Sequence, residues 1–233
     1  MKTTILLLLS VFYGSYLFGQ TQTPEQKQEF LNRINSGLGL SDILYNGSGV
    51  QSDIEGDPYL LEYKLPGSIM ILNGNAPIEV IKMKYHVLNN YIQCDYKGRT
   101  LAIDGSKVLS FNLAHRYFIN TNELGALNNE LSGFYEVISE GSPSLLAHDA
   151  VKIKKPDYNI ALDVGNKNYK IIKNRNYYLF YENEVHEISR KKDVLSLMKS
   201  NQKEIKNFIK KENISFSDES DLLSLSTYLS NLK

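Results

Sequence analysis

Over residues 68–188 the chain is a succession of short apolar runs with alternating side chains, cut by turn signals and by no helical crossover. Parallel strands need a connection of about a dozen residues or more, so this spacing predicts antiparallel neighbours and argues against parallel pairs. Residues 68–72 and 78–87 flank Asn73-Gly74, a dipeptide that accepts positive backbone φ, and form one expected hairpin. In its second strand the apolar phase runs Ile78, Val80 and then Ile81, Met83, Tyr85, a slip of one residue that a β-bulge absorbs. Residues 91–96 and 99–103 flank Lys97-Gly98 as another hairpin, and shorter runs follow at 108–111 and 117–119. Residues 124–130 read as a polar loop. Runs at 133–139, 144–147, 151–153, 169–172, 177–181 and 185–188 continue the meander. The expected fold class is α+β and mainly β, an antiparallel β-meander built as a curved sheet or a partly closed barrel.

From residue 189 the period becomes helical. Val194, Leu195 and Met198 mark one short helix; Ile205, Phe208 and Ile209 a second; Leu222, Leu225, Leu229 and Leu232 a third, with Ser217 as its expected cap. The other end of the chain has a different signature. Lys2 precedes an apolar run over 5–12, then Gly14-Ser15 and a second apolar patch at 16–18, the order of a secretory signal peptide cleaved after Gly19. The run is shorter than the roughly 20 residues a spanning helix needs, so no transmembrane span is expected after cleavage. Thr23-Pro24-Glu25-Gln26 has the form of a helix start. The expected organisation is a signal peptide (1–19), an N-terminal helix and linker (20–55), an antiparallel β domain (56–188) and a C-terminal helical subdomain (189–233). The expected location is the periplasm, the outer-envelope surface or the medium.

With these landmarks placed, the chain resembles a family of uncharacterised exported proteins of Gram-negative bacteria. The resemblance is carried by Gly56-Asp57-Pro58-Tyr59-Leu60, by Tyr85-His86-Val87-Leu88-Asn89 and by Leu101-Ala102-Ile103-Asp104. It continues through Gly133-Phe134-Tyr135-Glu136-Val137, Gly141, Ser144-Leu145-Leu146 and Lys191-Lys192-Asp193-Val194, with Ile205 and Ile209. It implies an architecture and a compartment, and carries no catalytic residue with it.

The sequence offers little organised chemistry. The 26 basic and 26 acidic residues balance, so there is no global electrostatic case for nucleic acid. The single cysteine, Cys94, alternates with Ile92 and Tyr96 and reads as a buried thiol. The four histidines, His86, His115, His148 and His186, share no short metal-ligand spacing, and neither a nucleophile elbow nor a phosphate loop is present; no metal or cofactor is called for. Asp53, Glu55 and Asp57 bracket Gly56 but do not follow a calcium-loop pattern. His148-Asp149 is the one adjacent acid/base pair of interest. The sixteen tyrosines suit strands and, as an alternative, sugar stacking.

The patterned polar feature is in the tail. Lys199, Lys203, Lys206 and Lys210 recur at spacings of four, three and four, opposite Ile205, Phe208 and Ile209. Residues 190–211 hold eight basic and two acidic residues, a net of +6. Such a stripe suits an anionic envelope component, lipid or polysaccharide, or a protein partner. The expectation is an exported, non-catalytic envelope or periplasmic protein with a β scaffold and a helical docking tail. The alternatives are a hydrolase-type enzyme whose site is assembled from distant residues, such as His148 and Asp149, and a sugar- or lipid-binding module.

Overall fold

The computed structural model describes residues 54–72, 74–96, 99–124 and 132–232. The signal peptide and the helix expected from Thr23 lie outside the described residues. Eleven described strands form one sheet: β1 (Ile54–Glu55), β2 (Leu65–Ile71), β3 (Ile78–His86), β4 (Tyr91–Tyr96), β5 (Arg99–Asp104), β6 (Val108–Leu113), β7 (Arg116–Asn120), β8 (Phe134–Ser139), β9 (Ser144–Lys154), β10 (Tyr169–Tyr181) and β11 (Glu184–Glu187). Three helices follow: α1 (Lys191–Leu197), α2 (Gln202–Lys211) and α3 (Glu219–Ser230).

The strand order is β1-β10-β9-β8-β7-β6-β2-β3-β4-β5, with β11 on β10. The mainly β, open and curved sheet with helices after it agrees with the class expected from the sequence. The bulge also stands where the phase slips: Leu65 pairs with Met83 but Gly67 with Val80, so β3 carries the extra residue and Ile81 is turned out to solvent. Gly67 is required by the close approach of β6, because a Cβ there would lie 2.1 Å from the Asn112 carbonyl oxygen.

Three expectations are corrected. First, β1 pairs with β10 in parallel through Ile54↔Tyr169 and Glu55↔Lys170, so residues 54–55 belong to the sheet and not to the linker. The long return from β1 to β10 runs through the whole meander, which makes a local helical crossover unnecessary. Second, 144–147 and 151–153 are one strand, β9, and 169–172 and 177–181 are another, β10, paired without interruption from Lys170↔Lys154 to Phe180↔Ser144. The polar residues between the apolar runs pair with each other across the two strands, with Arg175 opposite Asp149, instead of forming turns. Third, Asp218 and not Ser217 caps α3, its side chain accepting from the backbone N–H groups of Ser220 and Asp221.

Strand alternation gives the sheet two faces. Ile69, Met83, Ile92, Phe111, Phe118 and Phe134 belong to the largest core, in which Phe111 and Phe118 stack at 4.6 Å. Cys94 is fully buried there, and burial pushes its thiol up to about 12. On the same face, Leu145 and Leu179 with the neighbouring Ile188 meet Ile205, Ile209, Leu222, Leu225 and Leu229 of the helices. Tyr135, Leu146 and Tyr178 form a smaller cluster on the opposite face.

The two motifs Gly56-Asp57-Pro58-Tyr59-Leu60 and Tyr85-His86-Val87-Leu88-Asn89 form a single joint. Tyr59 bridges to His86, the Leu60 N–H donates to the Tyr85 carbonyl at 2.8 Å, and the Val87 N–H donates to the Pro58 carbonyl at 3.0 Å. The His86 ring lies between Tyr59, edge-on at 4.7 Å, and Tyr91, stacked at 4.5 Å. At the other side of this strap, Lys173 of β10 bonds the Tyr59 carbonyl and sits 3.5 Å from Asp57. Five strands lie between β10 and β3 in the sheet order, so one strap can reach both only because the sheet curls.

Candidate functional site

The helix-facing side of the sheet carries charge at positions where alternation would place core residues. Phe134-x-Glu136-x-Ile138, Leu145-x-Ala147-x-Asp149 and Arg175-x-Tyr177-x-Leu179 each put one ionic group in an apolar phase. These groups meet. Glu136 accepts a fork from Arg116, Nε and Nη2 both at 2.6 Å, and a third bond from Arg175 Nη2 at 2.5 Å. Arg175 Nη1 donates to Asp149 at 2.6 Å, and Arg175 Nε and Nη2 donate to Glu219 of α3 at 3.0 and 2.8 Å. The Tyr177 hydroxyl donates to the same Glu219 oxygen at 3.2 Å.

Two guanidiniums thus hold three carboxylates across four strands and a helix. Burial raises the Glu136 carboxyl, but hydrogen bonds from Arg116 and Arg175 outweigh it and hold the group below its usual range. Asp149 is shifted the other way: burial raises it, and the pull of Arg175 and Arg116 only partly offsets that. A cavity of about 490 Å³ opens beside Arg175, lined also by Tyr177, Glu187, Ile188, Phe216 and Ser217. Arg175 spends its Nε, Nη1 and Nη2 donors on carboxylates, so the cavity wall presents no free cation at that position. The network's chemistry is that of a clamp fixing α3 to the sheet.

His148 and Asp149 do not form the dyad the sequence suggested. Neighbours on a strand point to opposite faces. Asp149 enters the arginine network, whereas His148 lies against Tyr135 and Tyr178, its Nε2 3.0 Å from the Ser132 carbonyl. A carbonyl only accepts, so Nε2 carries the proton and Nδ1 is a buried lone pair. Neither His148 Nδ1 nor the Tyr135 hydroxyl has a hydrogen-bond partner among the described residues. Burial lowers the pKa of His148 and of His86, whose Nδ1 accepts from the Asn89 N–H at 3.1 Å.

This fixes the sign of a pH dependence. A histidine whose folded pKa is depressed takes up its proton in the unfolded chain first, so stability falls as pH drops below the ordinary value of 6.5. The loss continues until the folded group also titrates. Each such histidine contributes a slope of up to about 1.4 kcal/mol per pH unit. Denaturant melts between pH 7.5 and pH 5 (about the histidine range) should show stability falling on the acid side, and His148→Gln should flatten the curve. A wild-type curve level across that range would refute the assignment.

Glu55 accepts from Asn168 at 2.7 Å and lies 3.5 Å from Lys170, while Asp57 turns to the Tyr59 N–H and to Lys173. These acids are therefore engaged by Asn168, by the Tyr59 N–H and by two lysines of β10, and Asp53 lies outside the described residues. Among the described residues no three His, Cys, Asp or Glu side chains come together as a ligand set. Of the tyrosines, Tyr85, Tyr135 and Tyr178 are core residues; the exposed Tyr63, Tyr117 and Tyr169 sit on separate elements.

All four lysines of the basic stripe are exposed. Ile205 and Ile209 are buried, and Phe208 stacks on Tyr228 at 4.0 Å, so α2 is held by its apolar side. Lys203, Lys206 and Lys210 are exposed along α2, and Lys199 is exposed in the 3-10 turn before it. None of the four forms an ion pair or a side-chain hydrogen bond among the described residues. The stripe was legible in sequence; the arginine clamp was missed, although a charge in the apolar phase of three strands was the signal for it. Among the described residues no helix is long and apolar enough to cross a membrane. Comparison with protein families, curated proteins and solved structures finds no match to this chain.

Proposed function

We propose that this is an exported, non-catalytic protein of the periplasm or cell envelope, in which the curved sheet is a scaffold and the C-terminal helices dock on an anionic envelope component. The observation that carries this reading is the exposed run Lys199, Lys203, Lys206 and Lys210, presented by α2 and the turn before it, with the opposite side of α2 locked into a core. Lysines without local acidic partners keep their charge available for an external one. The arginines of the sheet, by contrast, are consumed by internal carboxylates. The non-catalytic part of the reading is supported by that internal pairing and by the separation of His148 from Asp149.

Lys203→Glu with Lys206→Glu should change folding stability by less than about 0.5 kcal/mol, because exposed charges contribute little. The same double change should weaken binding to an anionic polysaccharide or to phosphatidylglycerol vesicles, and added salt should weaken the wild type likewise. Comparing the two ligands separates a glycan partner from a lipid one. Wild-type protein with no salt-sensitive binding to either would leave a merely solvated lysine face.

A further inference from the structure

The far end of the β9–β10 ribbon is paired by β1 and tied to the strap through Lys173, and beyond these contacts the chain is exposed. Near its base the ribbon buries Leu145, Leu146, Ala147 and Leu179; at its far end Lys152, Ile153 and Lys154 are exposed. Residues 155–168 then close the ribbon with a tip that carries three aliphatic side chains in water: Ile160 is 85% exposed, Leu162 69% and Val164 56%. Isolated exposed apolar residues are ordinary, but three at the extremity of one projection are not.

The tip is built, not loose. Asn159 and Val164 bridge, with the Asn159 N–H donating to the Val164 carbonyl at 2.8 Å, and the Asp157 N–H donates to the Asn166 carbonyl at 3.0 Å. The Asn159 side-chain oxygen accepts from the N–H groups of Ala161 and Leu162, at 3.0 and 3.2 Å. Asp157 accepts from the Asn166 N–H at 2.7 Å, and Tyr158 donates its hydroxyl to Asp163 at 2.5 Å. These bonds fix a short loop whose polar groups are satisfied internally while its aliphatic side chains point away.

Charge is arranged behind the tip. Residues 152–173 hold six lysines against two aspartates; Lys154 pairs with Asp157, Lys170 with Glu55 and Lys173 with Asp57, while Lys152 and Lys155 have no ion-pair partner among the described residues. We propose that this tip is a membrane-docking element: Ile160, Leu162 and Val164 enter the interfacial region of an anionic phospholipid bilayer, and Lys152 and Lys155 behind them meet the lipid phosphates. Apolar side chains ahead of a basic collar match the order a bilayer presents from its acyl boundary outward. A protein partner fits less well, because a tip of 14 residues with three exposed aliphatic side chains offers little of the roughly 800 Å² per side that a stable interface needs.

This inference does not rest on the lysine stripe of α2. The helical core touches Leu145 near the base of β9, and the tip begins beyond Lys154 at its other end. The two can therefore be tested apart. The chain has no tryptophan, so Leu162→Trp supplies a single reporter at an exposed position. Its emission should shift to the blue on adding phosphatidylglycerol-containing vesicles, and much less with phosphatidylcholine alone. Ile160→Asp with Leu162→Asp should leave the melting temperature unchanged and reduce vesicle flotation by about tenfold or more. Lys203→Glu with Lys206→Glu should leave the tryptophan shift in place. Reporter emission unchanged by vesicles would overturn the proposal, as would flotation indifferent to the double aspartate change. A concentration-dependent dimer in sedimentation, abolished by that double change, would reassign the tip to self-association.

Discussion

Leu225→Asp is expected to cost at least about 4 kcal/mol, because it removes a large apolar side chain from a filled core and buries a carboxylate with no partner. Leu225 is 1% exposed and packs in one cluster with Ile205 and Ile209 of α2 and with Leu145, Leu179 and Ile188 beside the sheet. The helix therefore has two supports, a neighbouring helix and the sheet itself. With a total stability of about 5–15 kcal/mol for an ordinary domain, such a loss frees α3 or unfolds the protein. Leu223 on the same helix is 40% exposed, so Leu223→Asp should stay within about 1 kcal/mol of wild type. Denaturant melts of the two variants side by side decide the matter: equal effects would mean that α3 is not docked through Leu225.

The second large effect is expected at Glu136. Its side chain is 8% exposed and is shared by Arg116 and Arg175, whose side chains are about a quarter exposed. Glu136→Ala leaves two half-buried guanidiniums facing each other without the acid between them. Breaking a buried pair by deleting one partner costs about 3–5 kcal/mol, and the partial exposure of the arginines places this case near the lower figure. The cost should appear as a melting temperature lower by about 6–12 °C. Arg116→Ala should cost less alone, and the double variant should be more stable than the sum of the single effects predicts, by about 1–3 kcal/mol. Strict additivity would show that the two side chains do not act as a unit.

These two sites differ in how far the sequence disclosed them. The leucines of α3 recur at three and four residues, a local pattern that needs no knowledge of the partner. Glu136, Asp149 and Arg175 have no mutual pattern, because each lies on a different strand and its partner is set by register. Polar residues in the middle of β9 and β10 consequently read as breaks between short strands. Only after Arg175 is placed opposite Asp149 do the two long strands make sense. The parallel contact of β1 was hidden for a related reason: it joins Ile54 to Tyr169, and nothing in either segment announces the other. The alternation Ile160-x-Leu162-x-Val164 is visible in sequence and would ordinarily be read as a half-buried strand. Its exposure follows from distance to the core, which is a property of the fold.

The length of that ribbon has a consequence of its own. From Ser144 to Lys154, β9 advances ten residue steps, which at about 3.3 Å each place the start of the tip some 33 Å from the base that holds the helices. The ribbon thus sets the separation between the tip and the helical core. Because side chains alternate, adding one residue to each strand would exchange the faces of everything beyond the insertion. That separation can therefore be changed while keeping the presentation of the tip only in paired increments, about 7 Å at a time.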